Sequence, residues 1–97
     1  MPTQDPGDDD ELRLRLLVLR CQAGDDRAFA QLFERFAPRT LRLLQRLVGD
    51  AAEDVQQEVW LTVYRQIGAL SNLGGFRSWL YATTRHRAID QLRRRAA

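Results

Sequence analysis

The chain has 97 residues, 44% of them hydrophobic and 29% charged, with a formal net charge of +2 and one cysteine. That length supports one domain with a single modest core and leaves no room for a second. No apolar run is long enough for a transmembrane helix or a secretory signal, and Cys21 has no disulfide partner, so the composition reads as cytoplasmic.

The charge is unevenly placed. Residues 1–12 hold Asp5, Asp8, Asp9, Asp10 and Glu11 and no base, which leaves 15 arginines against eight acids in the rest, a net charge of +7. A segment that basic suits a polyanionic partner. Residues 1–10 also contain Pro2, Pro6 and Gly7 and almost nothing to bury, so they read as a disordered acidic leader ahead of a folded domain over residues 11–97.

Gly24, Gly49, Gly68 and the pair Gly74 and Gly75 fall between periodic segments, and no segment alternates as a strand would. The predicted fold class is all-α, a compact bundle of about four helices. The first helix, over about residues 11–23, sets Leu12, Leu16, Leu17, Val18 and Leu19 among arginines and ends at Gly24, a left-handed cap. The second starts after Asp25 and Asp26, whose carboxylates can accept from the orphan amides of a first turn. Its apolar positions are Phe29, Leu32, Phe33, Phe36, Leu41, Leu44, Leu47 and Val48, and Pro38 within that pattern predicts a kink or a break.

In the third helix Asp50 and Glu53 have the spacing of a capping box, and Val55, Val59, Trp60, Val63, Tyr64 and Ile67 form its buried stripe. The fourth runs over about residues 76–94. Phe76, Trp79 and Leu80 are apolar at one end and Ala88, Ile89 and Leu92 at the other, while the "TTRHR" between them looks poorly suited to burial. Phe76 and Trp79 could stack on nucleic-acid bases, but their helical spacing beside Leu80 reads as core.

No catalytic or metal-binding grouping stands out. His86 is the only histidine and lies between arginines, there is no phosphate-binding glycine loop with a lysine, and no metal-ligand spacing. The chain is expected to be no enzyme and to need no cofactor. Cys21 reads as a helix-packing residue.

Two surfaces remain. Asp54, Gln57, Glu58, Leu61 and Arg65 recur at i, i+3, i+4, i+7 and i+11, so they line one side of the third helix, acids and an amide around a leucine. That mixture suits a basic partner helix. The second surface joins the polar loop at Ser71 and Asn72, the close-approach glycines Gly74 and Gly75, and the arginines that follow. It suits an unstacked single strand better than a duplex groove.

The segments "DAAEDVQQEVWLTVYR" and "FRSWLYATTRHRAIDQLRRR", in that order, resemble two consecutive motifs of extracytoplasmic-function sigma factors, and "AGDDRAFAQLFERFAPRTLRLLQRLVGD" fits the helices that precede them. The resemblance covers about residues 12–95. It implies a sigma region-two domain, a helical unit that docks on the β′ clamp helices of bacterial RNA polymerase and takes the promoter's minus-ten element as single strand. Asp54, Gln57, Glu58, Leu61 and Arg65 would then be the polymerase-binding face. Ser71, Asn72, Leu73, Gly74 and Gly75 match the segment that holds a flipped base of the non-template strand. Arg77, Arg85, His86 and Arg87 would line the strand path, and Arg93, Arg94 and Arg95 would hold upstream phosphates. An anti-sigma protein is a further implied partner.

The sequence departs from the family pattern at three places. His86 stands where the family usually has Asn, Thr83 and Thr84 replace Ile-Ala, and Gln56 replaces an apolar residue. The domain that reads the minus-thirty-five element in such proteins has no counterpart in these 97 residues. The alternative reading is a duplex-binding helix-turn-helix regulator, for which the segment over residues 68–75 is long, because that motif uses a turn of about three or four residues.

Overall fold

Asp25 shows how closely the local signals act. Its Oδ1 accepts from the amides of Arg27 and Ala28 at 3.0 and 3.3 Å, capping a long helix, while the residue before it closes another. Gly24 sits at φ +90°, the Gly24 amide donates to Cys21 and the Asp25 amide donates to Arg20, the two bonds of a Schellman ending. The computed structural model describes residues 6–97. Four α-helices follow in order: α1, Pro6–Gln22; α2, Asp26–Val48; α3, Ala52–Gln66; and α4, Phe76–Ala96. Single 3-10 turns at Gly49–Ala51, Ile67–Ala69 and Leu73–Gly75 carry the connections. Among the described residues there is no strand.

The four helices enclose one core. Leu14 and Val18 of α1, Leu32, Phe36, Leu44 and Val48 of α2, Val55, Val59 and Val63 of α3, and Phe76, Leu80 and Ala88 of α4 are all at most 2% exposed. Phe36 and Phe76 meet edge to face at 5.6 Å between centroids, tying the middle of α2 to the start of α4. Phe76 is therefore core, as its spacing suggests, and Trp79 packs partly buried beside it.

Several sequence-based expectations change. The leader was expected to be disordered through residue 10, yet α1 begins at Pro6; residues 1–5 lie outside those described. Proline is well placed at a helix start, and the acids that follow lie at the positive end of the helix dipole. Asp10 is also anchored, with Oδ2 2.6 Å from Arg35 Nη2 and 3.1 Å from Arg77 Nη2.

Helix α2 runs through Pro38 unbroken. Proline removes the donor that would serve the Glu34 carbonyl, but both residues lie on the exposed side of α2, where water can supply it. On the buried side, Gln56 Nε2 donates to the Ala37 carbonyl at 2.8 Å.

The capping box at Asp50 does not form. The chain enters α3 through the 3-10 turn, Ala51 occupies the cap position without a side-chain bond, and the Ala52 amide donates to Gly49 instead. The "TTRHR" stretch of α4 is not excluded from the interior either. Thr84 is fully buried between Leu80 and Ala88, with its hydroxyl donating to the Leu80 carbonyl at 2.8 Å. Leu80, Thr84 and Ala88, at i, i+4 and i+8, line that face, and a back-bonded hydroxyl can be buried without an unpaired donor.

Candidate functional site

The outward face of α3 follows from its inward one. With Val55, Val59 and Val63 buried, helical geometry sends Asp54, Gln57, Leu61 and Arg65 into solvent, and Leu61 is 48% exposed. Glu58 is half-buried at the edge nearest α4, its Oε2 3.4 Å from Arg94 Nη2. One turn on, Thr62 Oγ1 donates to the Glu58 carbonyl at 2.9 Å and accepts from Arg87 Nη2 at 3.0 Å. The structure therefore brings the five residues expected to form a docking face to one helix surface and laces its edge to two of the arginines expected to meet DNA. Glu58, Arg87, Asp90, Arg93 and Arg94 together line an open depression of about 490 Å³ between α3 and α4.

The α3–α4 connection is held from both sides. Leu70 and Leu73 pack on the core, and Gln22 of α1 donates through Nε2 to the carbonyls of Ile67 and Leu70 at 2.9 and 2.7 Å. Asn72 turns inward on its own backbone, with Oδ1 accepting from the Gly74 amide at 3.1 Å while its carbonyl accepts from the Gly75 amide at 2.9 Å. Ser71, Asn72 and Gly74 stay exposed, so the loop is an ordered ledge whose polar tip faces water.

Sequence reasoning missed two residues of this ledge. Gln22 is one; its partners lie 45 and 48 positions away, and nothing local signals them. Arg15 is the other. A Cβ built on Gly74 would sit 2.8 Å from Arg15 Nη2, so the guanidinium of α1 lies directly over the glycine and adds a cation to the loop.

The expected DNA-side residues do not form one continuous row. Arg85, His86, Arg93, Arg94 and Arg95 are exposed, whereas Arg87 is half-buried against Thr62. Arg77 is turned toward α1. It pairs with Asp10 at 3.1 Å, its guanidinium carbon lies 5.8 Å from the centre of the Phe36 ring, and its Nε is buried without a partner. Cys21 is partly buried on α1; burial first, then the nearby Asp25 and Asp26 carboxylates, pushes its thiol up to about 11, so it is neutral and unreactive at physiological pH. Among the described residues no group of three potential ligands could hold a metal ion.

One buried polar cluster supports these surfaces from beneath. Trp60 Nε1 donates to Thr40 Oγ1 at 3.3 Å, Thr40 Oγ1 donates to Gln56 Oε1 at 2.7 Å, and Gln56 Nε2 donates to the Ala37 carbonyl. Gln56, the residue that departs from the apolar pattern, is thus satisfied at both ends of its amide. It locks the buried side of α3 to α2 directly behind Gln57.

These features first define a class: an all-α binding module whose arginines and acids surround a closed apolar core. A family model described as sigma-70 region 2 matches residues 32–97. RNA polymerase sigma-H factor of Pseudomonas aeruginosa is 38% identical over 78 residues, covering 78% of this chain and 40% of that protein. The ECF RNA polymerase sigma factor BldN of Streptomyces coelicolor is 33% identical over 89 residues, covering 89% of this chain and 34% of that protein. ECF RNA polymerase sigma-E factor of Escherichia coli K12 is 35% identical over 74 residues, 74% of this chain and 38% of that protein. The chain belongs to the sigma-70 region 2 family, in its extracytoplasmic-function branch, a family of transcription factors and not of enzymes. It spans 34–40% of the length of these three relatives.

Proposed function

We propose that this domain docks on the β′ clamp helices of bacterial RNA polymerase and recognises and melts the promoter minus-ten element by capturing the non-template strand. The observation that carries the reading is the two-sided build of the α3–α4 pair. Apolar residues of both helices close the core, while Asp54, Gln57, Leu61 and Arg65 on α3 and Arg85, His86, Arg93 and Arg95 on α4 stay in solvent. One element pair can then hold a basic protein helix and a polyanion at once. The work would be done in the cytoplasm, on promoter DNA, and an anti-sigma protein that covers either face would silence it. Among the described residues no helix is long and apolar enough to cross a membrane.

Opening a duplex costs roughly 1–2 kcal/mol of stacking per base step. A rigid ledge at Ser71, Asn72, Leu73, Gly74 and Gly75 offsets part of that cost by offering an extruded base a fixed seat, and the arginines offset more through the strand's phosphates. Arginine serves both purposes, since its planar guanidinium pairs with phosphate and stacks on a base. No covalent step is involved. The connection over residues 67–75 holds two 3-10 turns, which favours this reading over the duplex-binding helix-turn-helix.

The test is a titration against an isolated β′ clamp-helix fragment, run beside a variant with Asp54, Gln57 and Glu58 all changed to Ala. Saturable binding that the variant loses is expected. Absence of binding by the folded native chain would overturn the docking assignment. Equal affinity for single-stranded and duplex minus-ten DNA would count against melting.

A further inference from the structure

Helix α1 carries more leucine than the core can use. Leu14 and Val18 are buried, and Leu17 and Cys21 pack beside them, which accounts for one face. Leu12, Leu16 and Leu19, at i, i+4 and i+7, lie on the opposite face and are 54, 51 and 51% exposed. A helix that is apolar on both sides belongs between two partners, and the domain supplies only one.

The surroundings of that outer stripe specify the missing partner. Leu16, Leu17 and Gln31 line a groove of about 390 Å³ between α1 and α2 together with Arg13, Arg20, Arg35 and a single acid, Asp10. Arg35 is paired with Asp10, but among the described residues Arg13 and Arg20 enter no ion pair. The apolar stripe is thus edged by cations free to meet carboxylates.

We infer that the outer face of α1, with the α1–α2 groove beside it, is a docking site for an acidic amphipathic helix of another protein, whose leucine-type residues cover Leu12, Leu16 and Leu19 and whose carboxylates pair with Arg13 and Arg20. Helix-in-groove recognition of this type reads apolar anchors at i, i+3, i+4 and i+7 spacing, the spacing the stripe presents. A second copy of this chain set parallel fits poorly, because two such stripes then bring Arg13 and Arg20 of both copies together. The site lies on α1 and is independent of the α3 docking face and the α4 arginines.

The probe is a fluorescein-labelled capped helical peptide with leucines at alternating third and fourth positions and glutamates flanking them. A comparator carries lysines in place of the glutamates. Anisotropy titration of the 97-residue chain is expected to saturate with the acidic peptide, to bind the lysine peptide at least about tenfold more weakly, and to weaken as salt rises. Leu16→Ser with Leu19→Ser, and separately Arg13→Ala with Arg20→Ala, should each reduce affinity about tenfold or more. All four residues are exposed, and unchanged thermal melts will show that the variants remain folded. No saturation, equal binding of both peptides, or full retention by the variants overturns the inference. So does a concentration-dependent dimer, or co-sedimentation with phosphatidylserine vesicles, that the leucine variant abolishes, since either assigns the stripe to another occupant.

Discussion

Glu58 of α3 and Arg94 of α4 are joined at 3.4 Å, so a residue of the proposed polymerase face holds a residue of the proposed DNA face. Arg94 is exposed and Glu58 half-buried, and a pair this open to water contributes about 0–1 kcal/mol to stability. Its effect lies in which charges are available. While the pair persists, Arg94 is partly neutralised; when Glu58 turns to a partner, Arg94 becomes free for phosphate.

Glu58→Gln is therefore expected to raise affinity for single-stranded DNA and to steepen its salt dependence by up to about one phosphate contact. The thermal midpoint should hardly move. Anisotropy over a salt series, with a melt beside it, checks both; an unchanged salt slope would show that Arg94 takes no part in DNA binding.

The Thr40, Gln56 and Trp60 cluster makes a prediction about stability alone. Gln56→Ala takes away the Thr40 hydroxyl's shortest acceptor and a donor to the Ala37 carbonyl, leaves the hydroxyl its longer bonds to the Phe36 and Ala37 carbonyls at 3.4 and 3.2 Å, and opens a small void, costing about 1–3 kcal/mol. Thr40→Val with Gln56→Leu removes that donor and acceptor together but leaves the buried Trp60 indole N–H without its acceptor, so it should recover only part of the loss. Urea unfolding of the single and double variants, read as a cycle, gives the coupling.

Gly74 is required for what lies above it rather than for its own backbone. Its φ is not in the left-handed region, but a Cβ would displace the Arg15 guanidinium. Gly74→Ala should leave stability within about 0.5 kcal/mol, since the displaced group is the end of a flexible side chain. It should weaken single-strand binding, and in an Arg15→Ala background the same change should have little further effect.

Cys21 yields a pH dependence. Its folded-state value of about 11 lies above that of a free thiol, so above about pH 9 the unfolded chain loses this proton first and the folded state is progressively disfavoured. The native chain is expected to lose stability between about pH 9 and 11 more steeply than Cys21→Ser, and to react slowly with a thiol-modifying disulfide at pH 7.5. Chemical denaturation at stepped pH checks the first, and absorbance of the released thiolate the second.

Much of the architecture is legible in the order of the residues. The glycines at 24 and 49 end helices, Asp25 begins one, and the apolar periods of α2 and α3 mark faces that are buried except at their edges, where Tyr64, expected in the buried stripe, and Phe33 and Leu47 stay exposed because no other element covers them. Such signals act within a turn or two of helix, so a linear reading captures them. The same holds for Asp54, Gln57, Leu61 and Arg65, whose common exposure follows from helical spacing once the valines are inward.

Other features depended on contacts between segments far apart in the chain. Asp10 anchors residues that composition alone would leave as a loose leader, through Arg35 and Arg77, 25 and 67 positions away. Thr84 is buried because that side of α4 packs against α2 and α3, not because threonine is apolar, and Gln56 is tolerated because Thr40 and the Ala37 carbonyl meet it. Leucine content marks α1 as apolar, but only the packed bundle decides that Leu14 faces inward while Leu12, Leu16 and Leu19 face water. The sequence by itself determined the helices, the caps at Gly24 and Asp25 and the family to which they belong, because periodicity and capping are local. Which charges are paired and which apolar face is left without a partner was decided by the tertiary structure, because those depend on what each side chain finds across the interface.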